Sequence, residues 1–421
     1  MSVLLKQVKV ISPGSEYHNK VVDILIESGK ITEIKKNISE KLTGKVIQGE
    51  QLLVSIGWFD LQTTSGEPGF EHKETLNSLI KSAASGGFTG IAVHSNNQPH
   101  FNHKSQIEYI ISNTKNKVVD VYPLGTITID EKGKELSEMY DLQQSGSCGF
   151  SDYKHAFKDA GALYRALQYA NNINSLLMVH CNDETLSNGG MMNEGEVSTK
   201  LGLKGMPAFA EEINLERNLS ILEETGGKLH INSISSKGSV DLIKKAKSKE
   251  LNVTCGVSAF NLVLDDSSLL EFDSHFKLNP PLRTKKDIAA LRSALESGII
   301  DVVISDHCPH DVESKDLEFD LAEFGAVNLQ TALPSVLEKY EEKDLSQLIE
   351  AITTNPRKVL QINIPKIEIN EEANLTIFSQ HASFSFDKKF NLSLSDNSPY
   401  LNKTFQSKVI GIINGTKNYF N

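Results

Sequence analysis

Short apolar runs recur through the middle of this chain, each followed by a stretch with helical apolar spacing. The runs lie near Trp58 to Leu61, Phe88 to His94, Val118 to Leu124, Gly149 to Ser151, Leu176 to His180, Lys228 to Ser233, Leu251 to Cys255 and Asp301 to Ser305. Parallel strands need a crossover, usually a helix, to bring the chain back, so this alternation predicts an α/β fold with a parallel sheet. Eight such units are what a closed TIM-type (β/α)8 barrel requires. Polar residues punctuate many of the runs at their C-terminal ends. A barrel gathers those ends at one mouth, whereas a doubly wound open sheet gives no reason for so many of them. The barrel is the expected fold.

The flanks read differently. Residues 1–50 hold alternating runs such as Val8-Lys9-Val10-Ile11, Val22-Asp23-Ile24-Leu25-Ile26 and Ile31-Thr32-Glu33-Ile34, broken by Gly and Ser-Pro-Gly turns. Residues 365–421 resume that pattern with Leu375-Thr376-Ile377-Phe378 and Val409-Ile410-Gly411-Ile412-Ile413. Both ends are expected to build one small β-sandwich-like module, 1–50 plus 365–421, around a barrel spanning 51–364.

With 421 residues, 39% of them hydrophobic, the chain can bury a large core. A formal net charge of -11 argues against general binding to nucleic acid, which needs clustered cations. The one dense basic run, Lys244-Lys245-Ala246-Lys247, is expected to be a solvated helix face. No apolar stretch is long enough to span a membrane, and the first residues lack a signal-peptide layout, which predicts a cytoplasmic protein. Cys148, Cys181, Cys255 and Cys308 are too dispersed for a disulfide framework or a zinc ribbon.

The strand ends carry the chemistry. They include Gly57-Trp58-Phe59-Asp60-Leu61-Gln62-Thr63-Thr64-Ser65-Gly66-Glu67-Pro68-Gly69, Phe150-Ser151-Asp152, Val179-His180-Cys181-Asn182-Asp183, Leu229-His230-Ile231-Asn232-Ser233, Asn279-Pro280-Pro281-Leu282-Arg283 and Ser305-Asp306-His307-Cys308-Pro309-His310. With Phe324-Gly325, Thr331-Ala332-Leu333-Pro334 and Thr354-Asn355-Pro356, these motifs in this order resemble the dihydroorotase family of cyclic amidohydrolases along nearly the whole chain.

The resemblance implies a barrel holding one or two zinc ions that activate water against the ring amide of dihydroorotate, in pyrimidine biosynthesis. Carried onto this chain, Asp152 falls on the metal-bridging aspartate, His180 on a histidine ligand and Asp306 on the aspartate that ligates and takes the proton. Asn96, Asn279 and His310 fall on substrate-binding positions. Other family positions are replaced. Gln62 and Thr64 stand where two histidine ligands belong, Ser233 where a third belongs, and Gly66 where an arginine grips the substrate carboxylate. The family's Thr-Pro-His-His segment reads Ser258-Ala259-Phe260-Asn261.

Each survivor also has a plainer role. Asp152 could cap a helix, His180 could be a satisfied core histidine, and Asp306-His307 could brace the barrel rim. His230 and Trp58 read as structural, and nothing in the sequence activates Cys181 or Cys308.

Amide and hydroxyl oxygens are poor zinc donors beside imidazole, and a catalytic zinc typically wants three protein ligands. The expectation is a catalytically silent dihydroorotase-like protein without tightly bound metal, acting as structural or regulatory partner of aspartate transcarbamoylase; that partner is implied by the resemblance alone. The alternative is an active dihydroorotase, or another cyclic-amide hydrolase, with an altered zinc site. A third reading keeps the mouth as a ligand pocket lined by Asn96, Asn279, Arg283 and His310, with Arg283 alternatively holding a loop. Homo-oligomers are possible on any of these readings.

Overall fold

The computed structural model describes residues 2–39, 44–340 and 343–421. Eight parallel strands form the barrel: Trp58–Thr64, Phe88–His94, Asp120–Pro123, Phe150–Ser151, Leu176–Val179, Lys228–Ile231, Val253–Ser258 and Val302–Ile304. The first three pair in order, as do the fourth to eighth. Single bridges, Gly125 to Phe150 and Thr63 to His307, close the circle.

The seventh strand lies later than the predicted Leu251 to Cys255. It pairs with the sixth strand through Val253 to Cys255 and with the eighth through Gly256 to Ser258. That offset is the stagger a closed barrel needs, and it lengthens the strand beyond its apolar run.

Along the strands, residues alternate between two clusters. Phe59, Leu61, Ala92, Leu124, Met178, Val302 and Ile304 pack together in one cluster. Trp58, Ile91, Val93, Leu177, Val179, Leu229, Ile231 and Val303 pack with the apolar faces of the helices. A representative helix, Lys285–Glu296, starts at a Thr284 and Asp287 capping box and buries Ile288, Leu291, Ala294 and Leu295. The basic run lies on the helix Lys237–Ser248, but it is not wholly solvated. Lys247 Nζ sits 2.7 Å from both carboxylate oxygens of Asp301, because the helix's last turn passes over the loop before the eighth strand.

Strands from both ends of the chain share one sheet. Ser2–Val10 pairs with Val21–Glu27 on one side and with Lys45–Ile47 and Leu53–Ile56 on the other. Leu53–Ile56 then pairs with Asn374–Ser379, which continues to Lys408–Asn414 and Lys417–Phe420. Leu53–Ile56 thus belongs to the terminal sheet, a few residues inside the span assigned to the barrel.

The ribbon Phe384–Phe386 with Lys403–Phe405 is separate from that sheet. It packs in a cluster with Phe260, Leu278 and Leu282, and Tyr400 stacks on Phe260 with centroids 5.8 Å apart. Between the ribbon strands, Asn397 Nδ2 donates to the carbonyls of Cys308 and Gly325, and His310 N donates to Asn397 Oδ1. The segment is thereby pinned to the loops after the eighth strand.

Candidate functional site

Asp306 follows the eighth strand in a left-handed conformation, φ +54°. Its Oδ1 accepts from Gln62 Nε2 at 2.8 Å. Lys154 Nζ lies 2.8 Å from Oδ1 and 3.0 Å from Oδ2. The Lys154 side chain is 11% exposed and that of Asp306 2%, so water screens the pair little. Gln62 reaches this point because the pairing of the first strand with the second shifts register between Asp60 and Thr63, which re-aims the side chains beyond it. Asp60, just before the irregularity, accepts from Ser305 N and Ser305 Oγ at 2.8 and 2.5 Å and so fastens the first strand to the eighth. Burial pushes its carboxyl up to about 7.

Asp152 does not face Asp306. Its Oδ1 accepts from the backbone N of Ile127 and Thr128 at 2.8 and 2.9 Å, and its Oδ2 accepts from Thr128 Oγ1 at 2.6 Å. Both oxygens bond the loop after the third strand, which Asp152 thereby braces. Burial raises its carboxyl to about 7. From this strand end it is the next two residues that approach Asp306, Lys154 directly and Tyr153 through its neighbours Cys308 and Thr64. Lys154 and Tyr153 carried no sequence signal of this role, since a lysine after a strand end is ordinarily solvated.

His180 is 2% exposed, and neither ring nitrogen makes a hydrogen bond of ordinary geometry; Asn279 is a close neighbour. Burial, with Lys154 and His155 nearby, depresses the imidazole to about 3 and keeps it neutral. Ser233 is buried with its hydroxyl unpartnered. Thr64 Oγ1 donates to the His307 carbonyl at 3.2 Å.

Gly66 sits where its loop doubles back: a Cβ there would fall 2.0 Å from Phe70 O and 2.7 Å from Glu74 O. Asn96 is half-buried, and its neighbour Asn97 is the residue that ties this loop to the Ser65 and Pro68 carbonyls.

Arg283 is buried and donates through Nε to Ser235 Oγ and through Nη1 to Asn193 Oδ1 and Met206 O, with Glu211 3.8 Å from Nη2. These bonds join the loops around it. His310 Nε2 lies 3.0 Å from Phe324 O and 3.4 Å from Cys308 Sγ. It lines a rim cavity of about 430 Å³ together with Lys315, Asp396 and Leu401. Burial opposes ionisation of Cys308, but His310 and Lys154 outweigh it and lower the thiol to about 6. The nearest partner of the thiol, His310, lies two residues along the same motif. Burial raises Cys181 to about 12.

The donor set does not fit a zinc ion. Asp152 is spent on a loop, Asp306 is neutralised by an ammonium, and His180 is the lone imidazole of the three positions carried over. Among the described residues, no group of three or more His, Cys, Asp or Glu side chains could hold a metal ion. None of the described helices is long and apolar enough to cross a membrane.

A family model described as dihydro-orotase-like matches residues 51–239. The chain is 39% identical over 402 residues to a dihydroorotase of Acetivibrio thermocellus, covering 94% of each protein. It is 37% identical over 404 residues to a dihydroorotase of Geobacter metallireducens, covering 95% of each. An L-hydantoinase from Arthrobacter aurescens shares the fold, with a TM-score of 0.84 at 22% identity over 99% of this chain and 95% of that one. A dihydropyrimidinase from Brevibacillus agri does so with a TM-score of 0.80 at 18% identity, over 100% and 95%.

Proposed function

The chain belongs to the dihydroorotase family, and on that premise we propose that it is a catalytically silent member, serving pyrimidine biosynthesis in the cytoplasm as structural or regulatory partner of aspartate transcarbamoylase. The observation that carries the silence is the contact of Lys154 Nζ with both oxygens of Asp306. An aspartate with both oxygens already bonded, to an ammonium and to the Gln62 amide, is poorly placed to hold a metal or to receive a proton from an attacking water. Replacement of imidazoles by Gln62, Thr64 and Ser233, and of the carboxylate clamp by Gly66, points the same way. The partner rests on the family resemblance.

Two measurements test this. Purified protein with added zinc or cobalt should show no turnover of dihydroorotate, and native mass spectrometry with aspartate transcarbamoylase should show a stoichiometric complex. Steady hydrolysis sinks the silent reading, and absence of a complex removes the partner.

The second reading is an active dihydroorotase with an altered site. It is favoured by the relatives named dihydroorotase at 34–39% identity across nearly the full chain. Turnover lost in Asp306→Asn would select it.

A further inference from the structure

We propose that a cavity at the opposite end of the barrel from the mouth binds a free amino acid as a zwitterion, its carboxylate against Arg357 and its ammonium toward Glu371 and Glu372. The site shares no residue with the mouth, so it stands on either reading of the chemistry there.

The cavity measures about 390 Å³ and lies where the starts of the first three barrel strands meet the terminal sheet. Phe59, Gly90 and Tyr122 line it from the strands, and the turn at Gly415 and Thr416, between Lys408–Asn414 and Lys417–Phe420, lines it from the sheet. Its size is that of a small-molecule pocket, and clefts between structural units commonly hold ligands.

Arg357 is the residue that calls for a ligand. It is 3% exposed. Its Nη1 donates to the carbonyls of Gly57 and Thr353 at 2.7 and 2.8 Å, and its Nη2 to Thr89 Oγ1 at 3.2 Å and Asn374 Oδ1 at 3.4 Å. All four acceptors are neutral, and among the described residues no carboxylate forms an ion pair with this guanidinium. Buried charges are ordinarily paired, because desolvation costs several kcal/mol per ion otherwise. Burial accordingly lowers Arg357 to about 10, although Tyr122 and Asp120 oppose the shift. A ligand carboxylate in the cavity would supply the missing counter-charge.

The rest of the lining sets the ligand's other end. Arg357, Lys117 and Lys417 are balanced by Asp120, Glu371 and Glu372. Both lysines already have partners, Asn77 Oδ1 for Lys117 Nζ and the Lys117 carbonyl for Lys417 Nζ. Asp120 Oδ2 accepts from Asn414 Nδ2 at 3.0 Å. Glu371 and Glu372 stand exposed, and among the described residues neither carboxylate is in an ion pair. A polyanion would meet their repulsion and a simple cation that of Arg357, whereas a molecule with one charge of each sign meets neither.

Occupancy would be felt in the fold. Gly57, whose carbonyl Arg357 takes, joins the terminal strand Leu53–Ile56 to the barrel strand Trp58–Thr64, and Gly57 N donates to Asn374 O at 2.8 Å. A ligand on Arg357 therefore stiffens the joint between sheet and barrel, and thermal unfolding reports it.

The common L-amino acids, added singly to the full chain at about 10 mM, make the test, and at least one should raise Tm by about 1–2 degrees. By calorimetry, the same molecule without its amino group, and the same molecule without its carboxylate, should each bind at least about tenfold more weakly. Glu371→Gln combined with Glu372→Gln, at exposed positions, should weaken the amino acid about tenfold and leave its analogue lacking the amino group unaffected. Arg357→Lys should weaken both, since it loses the planar fork. If Arg357→Lys does not fold, the double glutamine variant and the two analogues still decide. No shift with any amino acid overturns the proposal, as does an analogue that binds as well as its parent. Affinity unchanged in the double glutamine variant overturns it too, because binding then lies elsewhere.

Discussion

The ammonium of Lys154 contacts both carboxylate oxygens of Asp306, at 2.8 and 3.0 Å, at the point where the resemblance implies a divalent ion. A tethered monovalent cation thus pairs with the acidic side chain that the resemblance implies as a ligand. Since the pair is nearly dry, its members are strongly interdependent.

That interdependence is measurable. Lys154→Met leaves Asp306 as an uncompensated buried charge and should destabilise the fold by about 3 kcal/mol in urea denaturation. Adding Asp306→Asn to Lys154→Met should recover most of the loss. Equal and additive losses in the two single variants and the double variant would show that the residues are not coupled.

Restoring the missing arginine should fail. At residue 66 a Cβ would overlap the Phe70 carbonyl, whose own amide donates to Gly66 O at 2.6 Å, so the loop must break to admit a side chain. Gly66→Arg should lower stability by more than about 2 kcal/mol and bring no affinity for carboxylates. A variant as stable as the parent would show that the loop yields easily.

Zinc affinity should depend on the lysine as much as on the histidines. Gln62→His, Thr64→His and Ser233→His together supply imidazoles, yet Lys154 still holds Asp306. The triple variant should bind zinc weakly by calorimetry. Adding Lys154→Ala should tighten binding by at least about tenfold, because a competing cation and its repulsion are removed. Equal affinities would mean that Lys154 does not contest the site.

Buried neutral histidine makes stability fall on acidification. Burial, with His94 and Lys247 nearby, depresses His230 from 6.5 to about 3, and its Nδ1 pairs with Thr254 Oγ1 at 2.8 Å. The unfolded chain binds this proton between pH 6.5 and about 3 and the folded chain does not. The stabilisation is therefore complete above 6.5 and is lost as pH falls through that window. His230→Gln should flatten the dependence by about one proton, roughly 1.4 kcal/mol per pH unit, in urea midpoints compared at pH 4 to 7. An unchanged slope would mean that His230 is protonated in the fold.

The alternation of apolar runs with helical spacing specified a parallel sheet covered on both faces, and the polar residues at so many strand ends favoured the closed barrel over an open sheet. The order of strand-end motifs likewise marked Gln62, Thr64, His180, Ser233 and Asp306 as mouth residues. Side-chain direction was decided only by tertiary structure. Asp152 and Lys154 are two residues apart, yet one braces a loop and the other neutralises Asp306 from across the barrel. Hydrogen-bond partners 24 and 25 residues away for Asp152, and 152 residues away for Lys154, set that choice, and no local pattern encodes them. The stagger of the seventh strand and the place of Leu53–Ile56 in the terminal sheet arise in the same way, from pairing with distant strands rather than from propensity.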